Sequence, residues 1–534
     1  MRLRIALSLG VVALAVWAVV QAPAPHSLAG YVPAGPILYL EAQDFGALVR
    51  DWNGSAEKKL WLESASYAVF SRSRLFERLA GAQAQYAAAA GLPADMPLAE
   101  SVAGGESALA IYDIGKLEFL YITRLASARA METLLWRTRG NYETRKAAGT
   151  DYFVRMDPES RRVAAFATTS DYLLVATRED LMPAALKLIA GAGGSAVAGE
   201  EWFAASVRAA GARGDLRLVM NVPELVRSPH FRSYWVQRNV SEFRQYGAGI
   251  ADVFRSPSEI REQRVLLRFS QGPPVAPGEG LGKALRLTPD DSGLYRAWAN
   301  PTPEAALDLV VSRILAPQAQ GGRSSEAAPS APVAAAAGSE GDLETRIDEP
   351  PLENTGGRFV PEELRRLIEG AKLEAMLEVG GTRRLPDDVF VGIDSAVVLL
   401  GSADWSAEAV RGALSTAAET GPLGRIAFEA KGRVLVIANS EALLGRVMAR
   451  IENAPAKGEG DYAAGFSLAR ERANFAKMTR LIDYTERGES REPRFFSENI
   501  ASLGRTLSRV SSSSIVVRDS GRAVTQTVVY RLGP

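Results

Sequence analysis

"YLLVATREDL" at residues 172–181 and "VLVIANSEAL" at residues 434–443 share one grammar and stand 262 positions apart. Each passes from an apolar run through a small polar turn into a helix that opens on an acidic residue. A short apolar run bounded by a turn reads as a buried strand, and apolar residues spaced three and four apart read as the helix that follows.

Other blocks recur in the same order. At the same offset, Ala165-Phe166 faces Ala427-Phe428, while Ala176, Glu179 and Leu181 face Ala438, Glu441 and Leu443. Upstream, "FSRSRLFERLAGA" (70–82) aligns with "FVPEELRRLIEGA" (359–371), "LPAD" (92–95) with "LPDD" (385–388), and "ESALAIYDI" (106–114) with "DSAVVLLGS" (394–402). Downstream, "DLRLVMNVPELV" (215–226) faces "DYAAGFSLARER" (461–472), and "VLLRFS" (265–270) faces "VVYRLG" (528–533). Single matches mean little because Leu and Ala are common, but ordered blocks are hard to produce by chance. They predict two tandem related modules, 30–275 and 281–534, separated at the Pro- and Gly-rich "SQGPPVAPGEG" (270–280).

The fold class this predicts is α+β, with an N-terminal apolar helix before the modules. Runs such as "SALAIYDI" and "LEFLYITRL" lie either side of "GK" and read as a hairpin, and helical stretches intervene. Each module is expected to be an antiparallel sheet with helices packed on one face. Residues 316–358 are rich in Ala, Pro, Gly and Ser with few large apolar residues. Such a segment cannot bury enough surface to offset chain entropy, so it reads as a disordered insertion in the second module.

Residues 1–29 read as a signal peptide or membrane anchor. Arg2 and Arg4 precede an apolar run from Ile5 to Val20, which as a helix spans roughly 24 Å at about 1.5 Å per residue. Ser27-Leu28-Ala29 offers small residues at −3 and −1 for cleavage before Gly30, whereas Pro23 and Pro25 set that bond far from the apolar run. The body of the chain is therefore expected on the periplasmic or extracytoplasmic side of the cytoplasmic membrane.

Composition narrows the chemistry. Of 534 residues, 62 are Lys or Arg and 62 are Asp or Glu, so no basic field favours nucleic acid. The absence of cysteine excludes disulfides and thiolate chemistry, and suits export to an oxidising compartment. Two histidines, His26 and His230, leave no material for a His-rich metal centre. "SAEK" (Ser55–Lys58) has the Ser-x-x-Lys spacing of acyl-transfer enzymes, but no Lys-Thr-Gly follows. The acidic pairs Asp157/Glu159, Asp290/Asp291 and Asp387/Asp388 sit in turn-like text where Asp serves the backbone. No catalytic, cofactor-binding or metal-ligating residue is assigned.

A partner-binding surface is the sharper candidate. Phe231, Tyr234, Trp235, Phe243 and Tyr246 recur at helical spacing among Arg232, Arg238 and Arg244. Such a stripe reads either as a core-facing helix face or as a groove for a partner.

With Pro33, Tyr39 and Asp44 in the pattern P-x-x-x-x-x-Y-x-x-x-x-D, the opening "YVPAGPILYLEAQDFGALVRDW" (31–52) resembles that of a family of uncharacterised exported bacterial proteins. The resemblance implies export and duplicated strand-helix modules, and brings no catalytic residue. The expected function is a non-enzymatic, exported, membrane-tethered binding or scaffold protein of the bacterial cell envelope. Its partners would be the cytoplasmic membrane, through residues 5–20, and an envelope protein or lipid. The alternative is a cell-envelope hydrolase using carboxylates or the Ser-Lys pair.

Overall fold

The structure is a computed structural model that describes residues 27–72, 74–93, 98–229, 243–272, 279–315, 361–386, 391–420, 426–451, 460–485 and 508–533. The chain is α+β and forms two compact units, residues 1–46 with 83–204, and 47–82 with 205–534. This division differs from the boundary at 275–281, which falls inside the second unit. The apolar run 5–20 lies outside the described residues, as does the insertion 316–358. Among the described residues no helix is long and apolar enough to cross a membrane.

The first unit carries β1 (Leu38–Ala42), β2 (Ser107–Asp113), β3 (Glu118–Arg124), β4 (Glu143–Ala147), β5 (Thr150–Met156), β6 (Val163–Thr169) and β7 (Tyr172–Ala176). They pair antiparallel in the order β1-β2-β3-β7-β6-β5-β4. The hairpin expected around "GK" forms: Asp113 pairs with Glu118, and the Lys116 N–H donates to Asp113 Oδ1 at 2.9 Å. Phe166, Leu173 and Val175 meet Ala87, Ala89, Ala130 and Leu135 on one side of the sheet. Their alternates Leu120, Ile122, Ala165, Leu174 and Ala176 are equally buried, and the helix Leu181–Ile189 packs along β4, β6 and β7.

The second unit carries β8 (Leu216–Asn221), β9 (Tyr246–Arg255), β10 (Glu259–Arg268), β11 (Leu294–Ala299), β12 (Leu373–Arg384), β13 (Val391–Gly401), β14 (Ala427–Lys431), β15 (Val434–Ala438), β16 (Tyr462–Phe466), β17 (Val510–Asp519) and β18 (Ala523–Leu532). Their order is β8-β9-β10-β18-β17-β16-β11-β12-β13-β15-β14, again antiparallel at every step.

Helices cover both faces of this sheet, not the one face expected. Leu377, Val398 and Val436 pack against Leu281 and Ala284 of the helix Glu279–Leu285, and against Leu443 and Val447 of the helix Glu441–Met448. Met376, Val397, Leu399, Leu435 and Ile437 face the other way, into a core with Leu307, Leu364, Ile368 and Val410. The reason is in the opening quotation. All five residues of "VLVIA" are buried, as a strand sandwiched between two layers requires, whereas a strand with one wet face would alternate.

The two quoted passages keep strand, turn and helix but differ at the cap. Ser440 Oγ accepts the Leu443 N–H at 3.4 Å. In the other copy Asp180 makes no capping bond and its carboxylate pairs with Arg178. One aligned block does not hold equivalent positions: residues 106–114 form β2, between β1 and β3, while 394–402 lie in β13, between β12 and β15. By pairing, β13 matches β3. Two consecutive apolar strands of a meander read alike, which is why spacing alone chose the wrong one.

Burial on both faces makes a direct prediction. Leu435→Ala should cost about 2–5 kcal/mol in denaturant unfolding, and Val436→Ala, on the opposite face, should also destabilise clearly. Glu429→Ala on the neighbouring β14 should stay within about 0.5 kcal/mol. A silent Val436→Ala would mean that its face is not covered.

Candidate functional site

Of the aromatic stripe, Phe231, Tyr234 and Trp235 lie outside the described residues, as do His26, His230, Asp387 and Asp388. Phe243 and Tyr246 are described, and both rest half-buried, with Met220, against Val222 and Val226. That contact belongs to a small core beneath the helix Val222–Arg227. Tyr246 also begins β9, and there it borders a cleft.

The cleft is built where β9, β10, β17 and β18 end. Its volume is about 480 Å³ and its lining is Gln245, Arg268, Phe269, Ser270, Gly272, Asp519 and Gly521. Register between β9 and β10 slips at Arg268: Leu267 pairs with Ala248 but Arg268 with Tyr246, leaving Gly247 as the extra residue of a bulge. A Cβ on Gly247 would stand 3.1 Å from the Phe269 ring, so glycine is what lets that ring lie against the strand. The same bulge re-aims Arg268 across the sheet.

Arg268 makes a two-pronged contact with Asp519, Nη1 to Oδ1 at 2.5 Å and Nη2 to Oδ2 at 2.6 Å. Its Nη1 also donates to the Gly521 carbonyl at 3.2 Å, its Nε to Gln245 Oε1 at 3.3 Å, and its charge lies 5.7 Å from the Tyr246 ring centre. Asp519 is fixed from the other side, because its own N–H donates to Asp461 Oδ2 at 2.5 Å and its Oδ1 accepts the Gly521 N–H at 2.8 Å. Gly521, at φ +78, supplies the left-handed turn that brings this N–H round. The Arg268 guanidinium holds the Asp519 carboxyl below the usual carboxylate range, and the backbone N–H of Gly521 adds to this. Asp519 in turn raises Arg268.

Chemically, the cleft pairs a saturated ion pair with an apolar platform. Arg268 and Asp519 are engaged with each other and with backbone, so proton transfer by either would first break a bidentate contact. Phe269 is 67% exposed at the rim, its ring set over Gly247 and its other face open to solvent. A large exposed aromatic beside a rigid polar floor is an arrangement suited to contact with a partner group.

The hydrolase candidates sit in other roles. Ser55 Oγ accepts the Lys58 N–H at 3.1 Å and donates to the Trp52 carbonyl at 2.7 Å, which makes it a helix cap, while Lys58 Nζ donates to Asn53 Oδ1 at 2.5 Å. Asp157 accepts from Ser160 N and Oγ, at 2.8 and 2.6 Å, which lowers its pKa and closes a turn. Asp290 pairs with Arg450 at 2.9 Å and Asp291 with Arg446 at 3.2 Å. Among the described residues of the second unit three acids are deeply buried, each with its own tie. Asp252 bonds Arg217 at 2.8 and 3.0 Å, Glu378 bonds Arg313 at 2.9 Å, and Glu471 accepts the Thr382 N–H at 3.0 Å.

No family model and no curated protein matches this chain. Among solved structures, crystal forms I and IV of TP0453 are similar over 46% and 45% of this chain and 81% and 79% of that one, at 13% and 14% identity and TM-scores of 0.24 and 0.25. A likeness of that size carries no weight for fold or function.

The depressed Asp519 pKa sets a pH signature. A carboxylate whose folded pKa lies below its unfolded value of about 3.9 contributes stability above that pH, and the contribution is lost as pH falls through the folded value. Asp519→Asn should therefore lower the urea midpoint at pH 7, and the gap to the parent protein should narrow as the pH is taken below about 3.9, so that it is smaller at pH 3 than at pH 7. A gap of equal size at both pH values would show that the pair does not contribute through its charge.

Proposed function

We propose that this chain is a non-enzymatic, exported, membrane-tethered binding or scaffold protein of the bacterial cell envelope, built by duplication of one α+β module. What carries the binding reading is the cleft at Phe269: a fixed ion pair satisfied within the protein, beside an aromatic face left to solvent.

The duplication is supported by strand order. The series β1-β2-β3-β7-β6 and β11-β12-β13-β15-β14 follow one scheme, each strand having its counterpart at the same step. Counterparts β8 and β16 begin 246 positions apart, as the aligned "DLRLVMNV" and "DYAAGFSL" require. The pairs β9 and β17, and β10 and β18, are ten residues each and begin 264 positions apart, one more than the offset between "VLLRFS" and "VVYRLG".

The register of β10 on β18 adds an independent reason. Gln263 stands opposite Thr527, its own equivalent at that spacing. Two copies related by a twofold axis make this kind of self-complementary contact: Glu259 faces Arg531 while Leu267 faces Ala523, the reciprocal pair at that spacing, and only the central residue meets its own equivalent. On this reading the sheet of the second unit preserves, within one chain, the contact of an ancestral pair.

Export and binding are tested together in intact cells. The full-length chain should sediment with membranes and be digested by protease added to spheroplasts, while a chain lacking residues 1–26 should be soluble and protected. A photoreactive residue at position 269 should give one discrete adduct, and one at the exposed Glu159 none. A soluble, protected full-length chain sinks the envelope assignment; a bare position 269 sinks the binding one.

A further inference from the structure

The bond between Ala29 and Gly30 has the small flanking residues of a leader-cleavage site, yet the chain around it belongs to the core of the first unit. Leu28 and Ala29 are both fully buried. They open the short 3-10 turn Leu28–Gly30, capped by Ser27, whose Oγ accepts the Ala29 N–H at 3.3 Å and donates to Glu41 Oε1 at 3.2 Å. The Gly30 N–H donates to the Ser27 carbonyl at 3.0 Å and the Tyr31 N–H to the Leu28 carbonyl at 2.9 Å.

The residues that follow are stitched in by backbone. Val197 N–H donates to the Val32 carbonyl at 2.9 Å, Ala34 N–H to the Ser195 carbonyl at 2.8 Å, and Pro33 bridges Ala196. The Tyr112 hydroxyl donates to the Pro33 carbonyl at 2.7 Å. Val32 and Val197 are, like Leu28, fully shielded from solvent.

Cleavage before Gly30 would therefore delete part of the fold along with the leader. It would remove a Leu side chain from a closed site and leave a cavity, which close-packed interiors tolerate poorly. It would also remove the cap and leave an ammonium group where the Gly30 N–H now closes the turn. A leader peptidase acts on extended chain, so the cut is chemically open before folding; its product would be a body without its Leu28 plug.

We propose that this bond is left intact, and that Ser27, Leu28 and Ala29 serve as the structural joint between the folded body and a retained N-terminal anchor at residues 5–20. The protein is then held at the membrane surface instead of being released. This rests on the export reading above and deepens it.

The test uses the full-length chain with a C-terminal tag, expressed in bacteria and read by intact-mass spectrometry together with protease digestion of spheroplasts. The expected result is a chain that begins at Met1 or Arg2 and is digested from outside. An exported chain that begins at Gly30, or anywhere after Val20, overturns the retained anchor and the membrane tether with it, and leaves the export reading standing. A full-length chain protected from the protease overturns the export reading and the anchor with it. In the same full-length protein, Leu28→Ala should lower the melting temperature by several degrees, and an unchanged melting temperature overturns the joint wherever the chain resides.

Discussion

Nine backbone pairs between β10 and β18, from Glu259 opposite Arg531 to Leu267 opposite Ala523, hold the sheet of the second unit in one piece. On one side of this seam lie β8 and β9, on the other β17, β16 and the strands beyond. The residues that meet there are more than 250 positions apart in sequence. Closing so long a loop costs little more entropy than closing one half as long, because the cost rises only with the logarithm of length. It is nevertheless a non-local pairing, formed late and slowly compared with the β9–β10 and β17–β18 hairpins that flank it. The Phe269 cleft depends on this seam, since Arg268 comes from β10 and Asp519 from the end of β17.

That dependence explains what could be read from the sequence and what could not. The buried strands were legible because burial writes itself into local text: "YLLVA" and "VLVIA" are apolar at successive positions, and both became strands. Their continuity also held the evidence that helices cover both faces, which the expectation of helices on one face missed. Pairing was less legible. "ESALAIYDI" and "DSAVVLLGS" are both apolar strands of a meander, and nothing local distinguishes the second strand of one copy from the third of the other.

The candidate site was nearly invisible at that level. Phe243 and Tyr246 stood out as aromatics at helical spacing, but Tyr246 is on a strand, and the cation beside its ring is Arg268, twenty-two positions on, at the far end of the β9–β10 hairpin. Arg268 itself appeared only as a letter in a repeated block. Asp519, 251 positions away, had no signal at all. A bidentate pair of this separation is produced by strand register, and register is fixed by the summed burial of whole strands, not by the identity of the two residues that happen to meet. The glycines were the one local hint: a Gly at 247 in a strand bulge, and one at 521 in a tight turn, mark places where the backbone comes close to something.

The proposed duplication has a consequence for how such a protein would bind. If β10 and β18 are equivalents at a spacing of 264, the counterparts of Arg268, Phe269 and Asp519 are Leu532, Gly533 and Arg255. None of the three keeps its chemistry: the guanidinium becomes an isobutyl group, the ring vanishes, and the carboxylate changes sign. The position opposite Gln245 is Arg509, which pairs with Glu57 at 3.0 Å. The twofold that relates the strands therefore does not relate their ends. A symmetric framework tolerates such divergence because its stability comes from the buried apolar alternates of the sheet, which lie away from the strand tips. Under the proposed duplication, one tip would have acquired the ion pair and exposed ring while the other became a structural tie. On this proposal, binding through Phe269 would be one site per chain, even though the frame beneath it would have been made twice.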